Sequence, residues 1–168
     1  MLLARLLRLL TRFRRIQPLV GRIHAFLLRL SRGRIRRSLI LAGGQPVLAL
    51  TTTGRRSGRE RTTTVAYVHQ ANGCAIGALN LGSDRDPAWS LNLRANPYGS
   101  IEVTGNRYSV RAREASGEEA EQLWARFIWQ LPQTRNTLRV ARRHVPIWIL
   151  DPVNRNGAGG SSLVRTGL

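Results

Sequence analysis

Residues 50–61, LTTTGRRSGRER, run from three threonines into a turn that Gly54 and Gly58 bracket. The apolar run VLAL at 47–50 is typical of a β-strand, so the segment predicts a strand that ends in a basic turn. Glycine lets the backbone turn sharply and present its N–H groups. The side chains beside those groups are Arg55, Arg56, Ser57 and Arg61. Because guanidinium groups bind phosphate in a bidentate manner, the turn predicts a seat for an anionic group; a plain basic hairpin tip is the alternative.

The composition is that of one globular domain with a strong positive charge. The chain has 168 residues, 42% of them hydrophobic, which is enough for one ordinary core. All 27 basic residues are arginine, and nine acids leave a net charge of +18. The turn is therefore not a Walker A loop, which needs a lysine. Such a charge attracts polyanions: nucleic acid, an anionic membrane surface or a phosphorylated small molecule.

Metal and disulfide chemistry find little support in the sequence. Cys74 is the single cysteine, so neither an intramolecular disulfide nor a cysteine zinc cluster can form. The three histidines are scattered, and the acids form no evident ligand cluster. We therefore predict no metal site.

The N-terminal segment, residues 1–43, differs from the rest of the chain. Residues 1–37 contain eleven arginines and no acid. Leucines and arginines alternate there at helical spacing on both sides of Pro18, which predicts two short basic amphipathic helices. Such helices lie on an anionic membrane surface, and we assign this role to residues 1–31. Packing on the main domain or on a second subunit is the alternative.

From Val47 onward, short strands with turn residues between them are typical of an antiparallel barrel or roll. Asn72-Gly73 and Gly105-Asn106 predict hairpin turns. Asp86 as cap and Pro87 as first residue predict a helix through Ala95, and Ser116 with Glu119 predicts a capping box for a second helix. The predicted strands are 47–53, 61–69, 73–79, 99–104, 107–114 and 145–150, and a third helix falls in 133–143. We expect one domain over residues 44–152 and a flexible tail over 153–168.

A second block, DPAWSLNLRANP, follows the basic turn at residues 86–97, and VPIWILDP stands at 145–152. With these blocks in this order, the chain resembles the deazaflavin (F420)-dependent nitroreductase family, also described as F420H2-dependent quinone reductases. The resemblance covers about residues 44–152. It implies an α+β fold, a split β-barrel of the flavin-reductase-like FMN-binding type, with the N-terminal helices added to it.

The resemblance also implies a cofactor, coenzyme F420, with FMN as the alternative. Its phosphate and oligoglutamate tail would reach the basic turn, and its ring would lie beside the barrel. Asn80 stands where some relatives carry lysine, and Arg85 is near enough to substitute. For Trp89, plain core packing is the alternative to a contact with the ring. The residues implied in cofactor binding are Thr53, Gly54, Arg55, Arg56, Ser57, Arg61, Thr63, Thr64, Ala78, Asn80, Arg85 and Trp89.

Hydride transfer from a reduced deazaflavin needs no protein nucleophile, which agrees with the lack of a catalytic triad. Tyr67 and His144 are the candidates for assisting protonation of the acceptor. A half-buried strand position for Tyr67 and a solvated position for His144 are the alternatives, and the sequence favours them.

The residues expected around the acceptor differ from those of the nitroreductases in this family. They place tyrosines after the long helix, where this chain has Leu131, Thr134 and Thr137, and Ser90 replaces a tyrosine beside Trp89. We therefore expect an apolar acceptor such as a quinone rather than a nitroaromatic compound.

The sequence thus predicts a cytoplasmic F420H2-dependent oxidoreductase, peripherally bound to the inner face of the cell membrane. A homodimer is compatible with this. The alternatives are an F420-dependent reductase of an unsaturated lipid, a non-enzymatic F420 carrier and, from a different class, a basic nucleic-acid-binding protein. The last is disfavoured because aromatic residues make up only 6% of the chain and no helix-turn-helix is evident.

Overall fold

The computed structural model describes residues 45–70 and 72–153, together with the backbone of Arg37 and Ser38. Seven strands and three helices make up these residues, with one short 3₁₀ helix at Asn80–Gly82. The strands are β1 (Arg37–Ser38), β2 (Gln45–Thr53), β3 (Glu60–Gln70), β4 (Gly73–Gly77), β5 (Tyr98–Val103), β6 (Asn106–Glu114) and β7 (Ile147–Pro152). The helices are α1 (Ala88–Ala95), α2 (Gly117–Gln130) and α3 (Gln133–Val140).

Six of the strands close into an antiparallel barrel in the order β2-β3-β4-β7-β6-β5, and β5 pairs back onto β2. The short β1 pairs with the start of β2. Closure removes the unpaired strand edges that would otherwise attract other chains. The predicted split β-barrel is confirmed.

Side chains alternate between the two faces of each strand, and each face has its own apolar cluster. The barrel interior is filled by side chains that include Leu48, Leu50, Ile76, Trp148 and Leu150. Outside the barrel, Val68, Ala75, Ile147 and Ile149 pack under α2. Leu123 and Phe127, one helical turn apart, provide the buried face of that helix.

The two predicted hairpin turns lie one residue earlier than expected. Gln70 pairs with Gly73, and Val103 pairs with Asn106, so Gly73 and Asn106 begin the following strands and are not turn residues. Thr104 and Gly105 both have positive φ, as a tight turn of this type requires. Gly73 is instead the first residue of β4. A Cβ atom there would lie 2.2 Å from the carbonyl oxygen of Leu150, so this glycine permits close approach of β7.

Both predicted helix caps were wrong. Pro87 precedes α1 without a side-chain cap, and the Asp86 carboxylate instead binds Arg94 and Arg143. Ser116 makes no cap hydrogen bond at α2. The Glu119 carboxylate accepts two hydrogen bonds from the Arg113 guanidinium, at 2.7 and 2.8 Å, and this bonding lowers the pKa of Glu119. Ion pairs with partners elsewhere on the surface have replaced the local caps.

Several predictions concern residues outside the described part of the chain. These are the two amphipathic helices within residues 1–31 and the flexible tail from residue 154. The domain boundaries at 43 and 152 also stay predictions. Within the residues that the structure describes, no helix has the length and apolar character that crossing a membrane requires.

We expect Gly73→Ala to lower the free energy of unfolding by about 1–3 kcal/mol, the usual cost of forcing extra atoms into packed structure. The new methyl group would displace the Leu150 carbonyl and disturb the pairing of β4 with β7. Urea denaturation followed by tryptophan fluorescence measures the change. Gln70→Ala, at the position paired with Gly73, is the control and should change stability little. Equal stability of the two variants would contradict this role of Gly73.

Candidate functional site

A groove of about 680 Å³ lies outside the barrel, between β3, the segment 79–88, α1 and the helices α2 and α3. Its wall combines polar side chains with the apolar side chains of Phe127, Leu131 and Trp89. The polar groups along it include Thr52, Arg61, Thr63, Thr64, Asn80, Ser83, Arg85, Asp86, Asn92, Gln133, Thr134 and Thr137. A groove with one apolar wall and convergent polar groups is the usual form of a small-molecule site.

The basic turn lies beside the groove, with Arg55, Arg56, Ser57 and Arg59 exposed. Its backbone N–H groups are less available than the sequence suggested. The Gly54 carbonyl accepts the N–H groups of Ser57 and Gly58, and the Gly54 N–H donates to the Arg59 carbonyl at 2.8 Å. The turn therefore offers mainly its arginine side chains to an anion.

Asn92 ties this turn to α1, a role that the sequence analysis did not assign. Its side-chain oxygen accepts the Arg55 N–H at 3.1 Å, and its amide nitrogen donates to Thr52 Oγ1 at 3.1 Å. Asn92 is only 4% exposed, so both bonds are shielded from water. The block DPAWSLNLRANP at 86–97 includes Asn92, but the sequence could not reveal its partners.

The groove brings together half of the predicted cofactor residues. Arg61, Thr63, Thr64, Asn80, Arg85 and Trp89 line it. Thr53, Gly54, Arg55, Arg56 and Ser57 do not; they belong to the end of β2 and to the adjacent turn. Ala78 is fully buried and also lies outside the groove wall. The two arginines that line the groove, Arg61 and Arg85, are exposed.

The segment 80–82 lines the groove in an unusual backbone conformation. Asn80, Leu81 and Gly82 have φ values of 43°, 54° and 77°, the left-handed region that favours glycine. The Asn80 amide donates to the Arg85 carbonyl at 2.8 Å, which closes the loop on itself. Leu81 points outward and is 70% exposed.

Arg143 holds this loop in place, and the sequence analysis missed it. Its guanidinium donates to the carbonyl oxygens of Ala78, at 2.6 Å, and Ser83, at 2.9 Å, and to the Asp86 carboxylate. Its side chain is 12% exposed and that of Asp86 is 13% exposed. Arg143 therefore acts as a clamp between the segment that joins α3 to β7 and the groove loop.

The structure does not bring Tyr67 and His144 to the groove. Tyr67 is 3% exposed within the barrel interior, and burial, with a smaller contribution from Cys74, raises its pKa to about 12. Burial likewise raises the pKa of the Cys74 thiol to about 12. His144 has a 77% exposed side chain 3.3 Å from the Glu114 carboxylate, in a separate depression. These positions argue against direct proton donation by either residue.

The positions that the sequence analysis assigned to the acceptor are only partly in the groove. Leu131, Thr134 and Thr137 line it, as does Phe127. Ser90 does not: it is fully buried, and its hydroxyl accepts the Trp148 indole N–H at 2.9 Å inside the barrel. Within the described residues, no three His, Cys, Asp or Glu side chains are grouped to hold a metal ion.

Comparison with known proteins identifies the family. Residues 20–152 match the family of F420H(2)-dependent quinone reductases. The chain belongs to this family. An F420H(2)-dependent quinone reductase of Mycobacterium tuberculosis is 32% identical over an alignment of 135 residues that covers 77% of this chain and 87% of that protein.

Solved structures agree with this membership. An F420-H2 dependent reductase is 29% identical with a TM-score of 0.58, over 63% of this chain and 94% of that one. A structure described as a domain-swapped dimer is also 29% identical, with a TM-score of 0.59 over 63% of this chain and 80% of that one. A heme storage protein of Vibrio cholerae, 14% identical with a TM-score of 0.50, shares the fold alone.

Membership of this family makes the chain an oxidoreductase that uses coenzyme F420. The groove fits such a group. Arg61 and Arg85 supply cations for its anionic part, and the Trp89 and Leu131 side chains supply apolar surface for a ring. Thr64 also lines the groove, and its Oγ1 is buried without a hydrogen-bond partner among the residues that the structure describes. An unused buried hydroxyl is a group that a ligand can satisfy after a side-chain rotation.

We expect Arg143→Lys to lower the free energy of unfolding by about 1.5–3 kcal/mol, because one ammonium group cannot replace a fork that reaches three oxygen atoms of residues 78–86. Amide hydrogen exchange in residues 80–86 should become faster, since the loop loses its anchor. Arg142→Lys is the matched control: Arg142 is the adjacent exposed arginine, and its replacement should leave both measurements nearly unchanged. Equal effects of the two substitutions would contradict the clamp.

Proposed function

We propose that this chain binds reduced coenzyme F420 in the groove and uses it to reduce a quinone. The observation that carries the proposal is that one groove is lined by both cationic and apolar side chains. We call Arg61 and Arg85 its cationic side, and Phe127, Leu131 and Trp89 its apolar side, as names for these two groups of lining residues. This combination suits an anionic cofactor and an apolar acceptor that meet in one site.

The cationic side would hold the cofactor. Arg61 and Arg85 pair with phosphate or carboxylate groups, and the exposed Arg55 and Arg56 of the neighbouring turn extend the positive field outward. Asn92 fixes the position of that turn through its hydrogen bonds with Thr52 and Arg55. Thr63, Thr64 and Asn80 offer polar groups along the groove wall. When bound, the reduced deazaflavin supplies the hydride.

The apolar side would hold the acceptor and exclude water. Phe127 is 1% exposed and Leu131 is 7% exposed, so both are packed in place before a ligand arrives. Thr134, 2% exposed, and Thr137 add hydroxyl groups to the same wall. The positions of Tyr67 and His144 give neither of them direct access to this side. We therefore assign acceptor protonation to water or to a groove hydroxyl, and the roles that the sequence suggested for those two residues remain unsupported.

Two further features belong to the proposal. One is homodimer formation, which the domain-swapped dimer among the structural relatives suggests. The other is peripheral attachment to an anionic membrane through residues 1–31, for which the arginine and leucine pattern of the sequence is the support.

We expect Arg61→Ala to weaken binding of oxidised F420 by about tenfold to 100-fold, corresponding to loss of one charge-assisted contact of about 1.5–3 kcal/mol. Fluorescence titration of the purified protein measures the affinity. Arg111→Ala is the control, because Arg111 is exposed on β6 and does not line the groove. Equal affinity of the two variants would show that the cofactor does not contact Arg61. Tighter binding of FMN than of F420 would contradict the cofactor assignment.

We expect the reduced coenzyme to be oxidised faster by a soluble naphthoquinone than by a bicyclic nitroimidazole. The wall of Leu131, Thr134 and Thr137 is apolar enough for a ring but offers no phenol group to orient a nitro substituent. Comparing kcat/KM for the two acceptors decides the question. A clear preference for the nitroimidazole would contradict the argument.

The same assay separates the alternative functions. Turnover with an unsaturated lipid but with neither of the two acceptors would favour a lipid reductase. Binding of F420 without any turnover would favour a carrier. Family membership favours neither of these, nor the nucleic-acid-binding function.

A further inference from the structure

Asp86 is the one acid among the residues that line the groove, where Arg61 and Arg85 are the two bases. Arg85 and Asp86 are neighbours in the sequence, so an ion pair between them would be the simplest local arrangement. The structure does not contain it. Arg85 is exposed and forms no ion pair with the residues that the structure describes, whereas the Asp86 carboxylate is bound by two other arginines. The acid on the other side of Arg85, Asp84, is exposed and does not line the groove.

The two arginines bind different oxygen atoms of the Asp86 carboxylate. Arg94 Nη1 lies 2.8 Å from Oδ2, and Arg143 Nη1 donates to Oδ1. The Asp86 side chain is only 13% exposed between them. Neither arginine lines the groove. Both carboxylate oxygens of this groove residue therefore have cationic partners outside the groove wall.

Arg94 lies in the last turn of α1 and also contacts a second acid. Its Nη2 is 3.4 Å from Glu114 Oε2 at the end of β6. The Arg94 side chain is 44% exposed, and ion pairs of such exposed side chains contribute little to the stability of a fold. Arg143, by contrast, is largely buried and also binds two backbone carbonyls. The stability of the fold therefore gives a reason for Arg143 but only a weak one for Arg94.

We infer that Arg94 is a positioning residue for the cofactor: it engages Asp86, so that Arg85 stays unpaired and available to an anionic group of the ligand. A carboxylate released beside Arg85 would pair with that guanidinium and would repel the phosphate or carboxylate groups of a ligand. The backbone of Arg85 is fixed as well, since its carbonyl accepts the Asn80 amide at 2.8 Å. With Arg94 in place, the groove offers two cations while its acid is neutralised from outside. The inference rests on the proposed function.

A purely structural role of Arg94 is the alternative. A cation in the last turn of a helix is stabilised by the helix dipole, and the pair with Glu114 would hold α1 to β6. Such a role depends neither on Asp86 nor on the charge of the ligand. The positioning role requires both dependences, so the two explanations can be separated by experiment.

A double-mutant cycle on the full chain tests the dependence on Asp86. We expect Arg94→Gln to weaken binding of oxidised F420, measured by fluorescence titration, by about threefold to 30-fold, a coupling within the usual range for interacting residues. In the Asp86→Asn background the same substitution should have little effect, because no carboxylate remains to be released. Arg94→Lys should keep most of the affinity, since an ammonium group can still bind Oδ2 of Asp86. Arg113→Gln is the matched control: Arg113 is ion-paired with Glu119 at 2.7 Å and does not line the groove.

The charge of the ligand provides the second test. The same deazaflavin without its phosphate and oligoglutamate tail presents no anion to Arg85. We expect Arg94→Gln to leave the affinity for this uncharged compound at the wild-type value.

Nitrogen-15 NMR of the arginine guanidinium groups tests the release of Asp86 without any ligand. Bidentate pairing with a carboxylate restrains a guanidinium group and slows rotation about its Nε–Cζ bond. We expect the Arg85 group to rotate freely in the wild type and to rotate more slowly in Arg94→Gln. In Arg94→Gln combined with Asp86→Asn, the rotation should be free again.

Several outcomes would overturn the inference. Equal weakening by Arg94→Gln with and without Asp86→Asn would assign Arg94 a structural role, as would a loss of affinity for the uncharged deazaflavin. An equal effect of Arg113→Gln would reduce the result to the overall charge of the protein. If the wild type binds no F420, the proposed function fails and the NMR measurement decides the inference alone. Slower rotation of Arg85 in Arg94→Gln then supports it, and unchanged rotation refutes it.

Discussion

The pairing of β2 with two neighbours is the constraint on which the rest of the structure depends. Ala49–Thr52 form ladders with β3 on one edge and with β5 on the other, and the second ladder closes the barrel. Leu48 and Leu50 then point inward, where both are almost completely buried. The chain must leave the barrel at the end of this strand, so the basic turn has a fixed position. Asn92 joins it to α1 through Thr52, the last inward-facing residue before the turn.

The groove exists because α2 covers only part of the outward face of β3. Ala66 and Val68 lie under the helix, but α2 ends at Gln130, before it reaches the other half of the strand. Thr64, farther along that same face, is left to line an opening rather than a core. Pro132 and the short α3 then turn the chain so that it forms the opposite wall. One part of β3 therefore packs against α2 and another part lines the groove. The C-terminal end of α2 sets the boundary between the two parts.

The sequence predicted those features that depend on neighbours along the chain. Strand positions followed from short apolar runs between turn residues, and the start of α2 followed from Ser116 and Glu119, although the capping box itself does not form. Features that depend on contacts between residues far apart in the sequence were not predicted. Asp86 looked like a helix cap, but its partner Arg143 lies 57 residues away, and Ser90 looked like a groove residue although it binds Trp148. The full burial of Tyr67 could not be predicted because TTTVAYVHQ does not alternate, so the sequence does not show which face of β3 is buried.

The loop at 80–82 shows why the clamp matters to the site. Three consecutive residues with positive φ are costly, at about 1–3 kcal/mol for a non-glycine residue such as Leu81. The hydrogen bonds of Arg143 to Ala78, Ser83 and Asp86 involve a charged donor with low exposure, and each contributes about 1.5–3 kcal/mol. Together they are large enough to offset the strain. The strained backbone turns Leu81 toward solvent, where burial cannot stabilise it. The clamp therefore holds in place a strained loop at the groove whose Leu81 gains no stabilisation from burial.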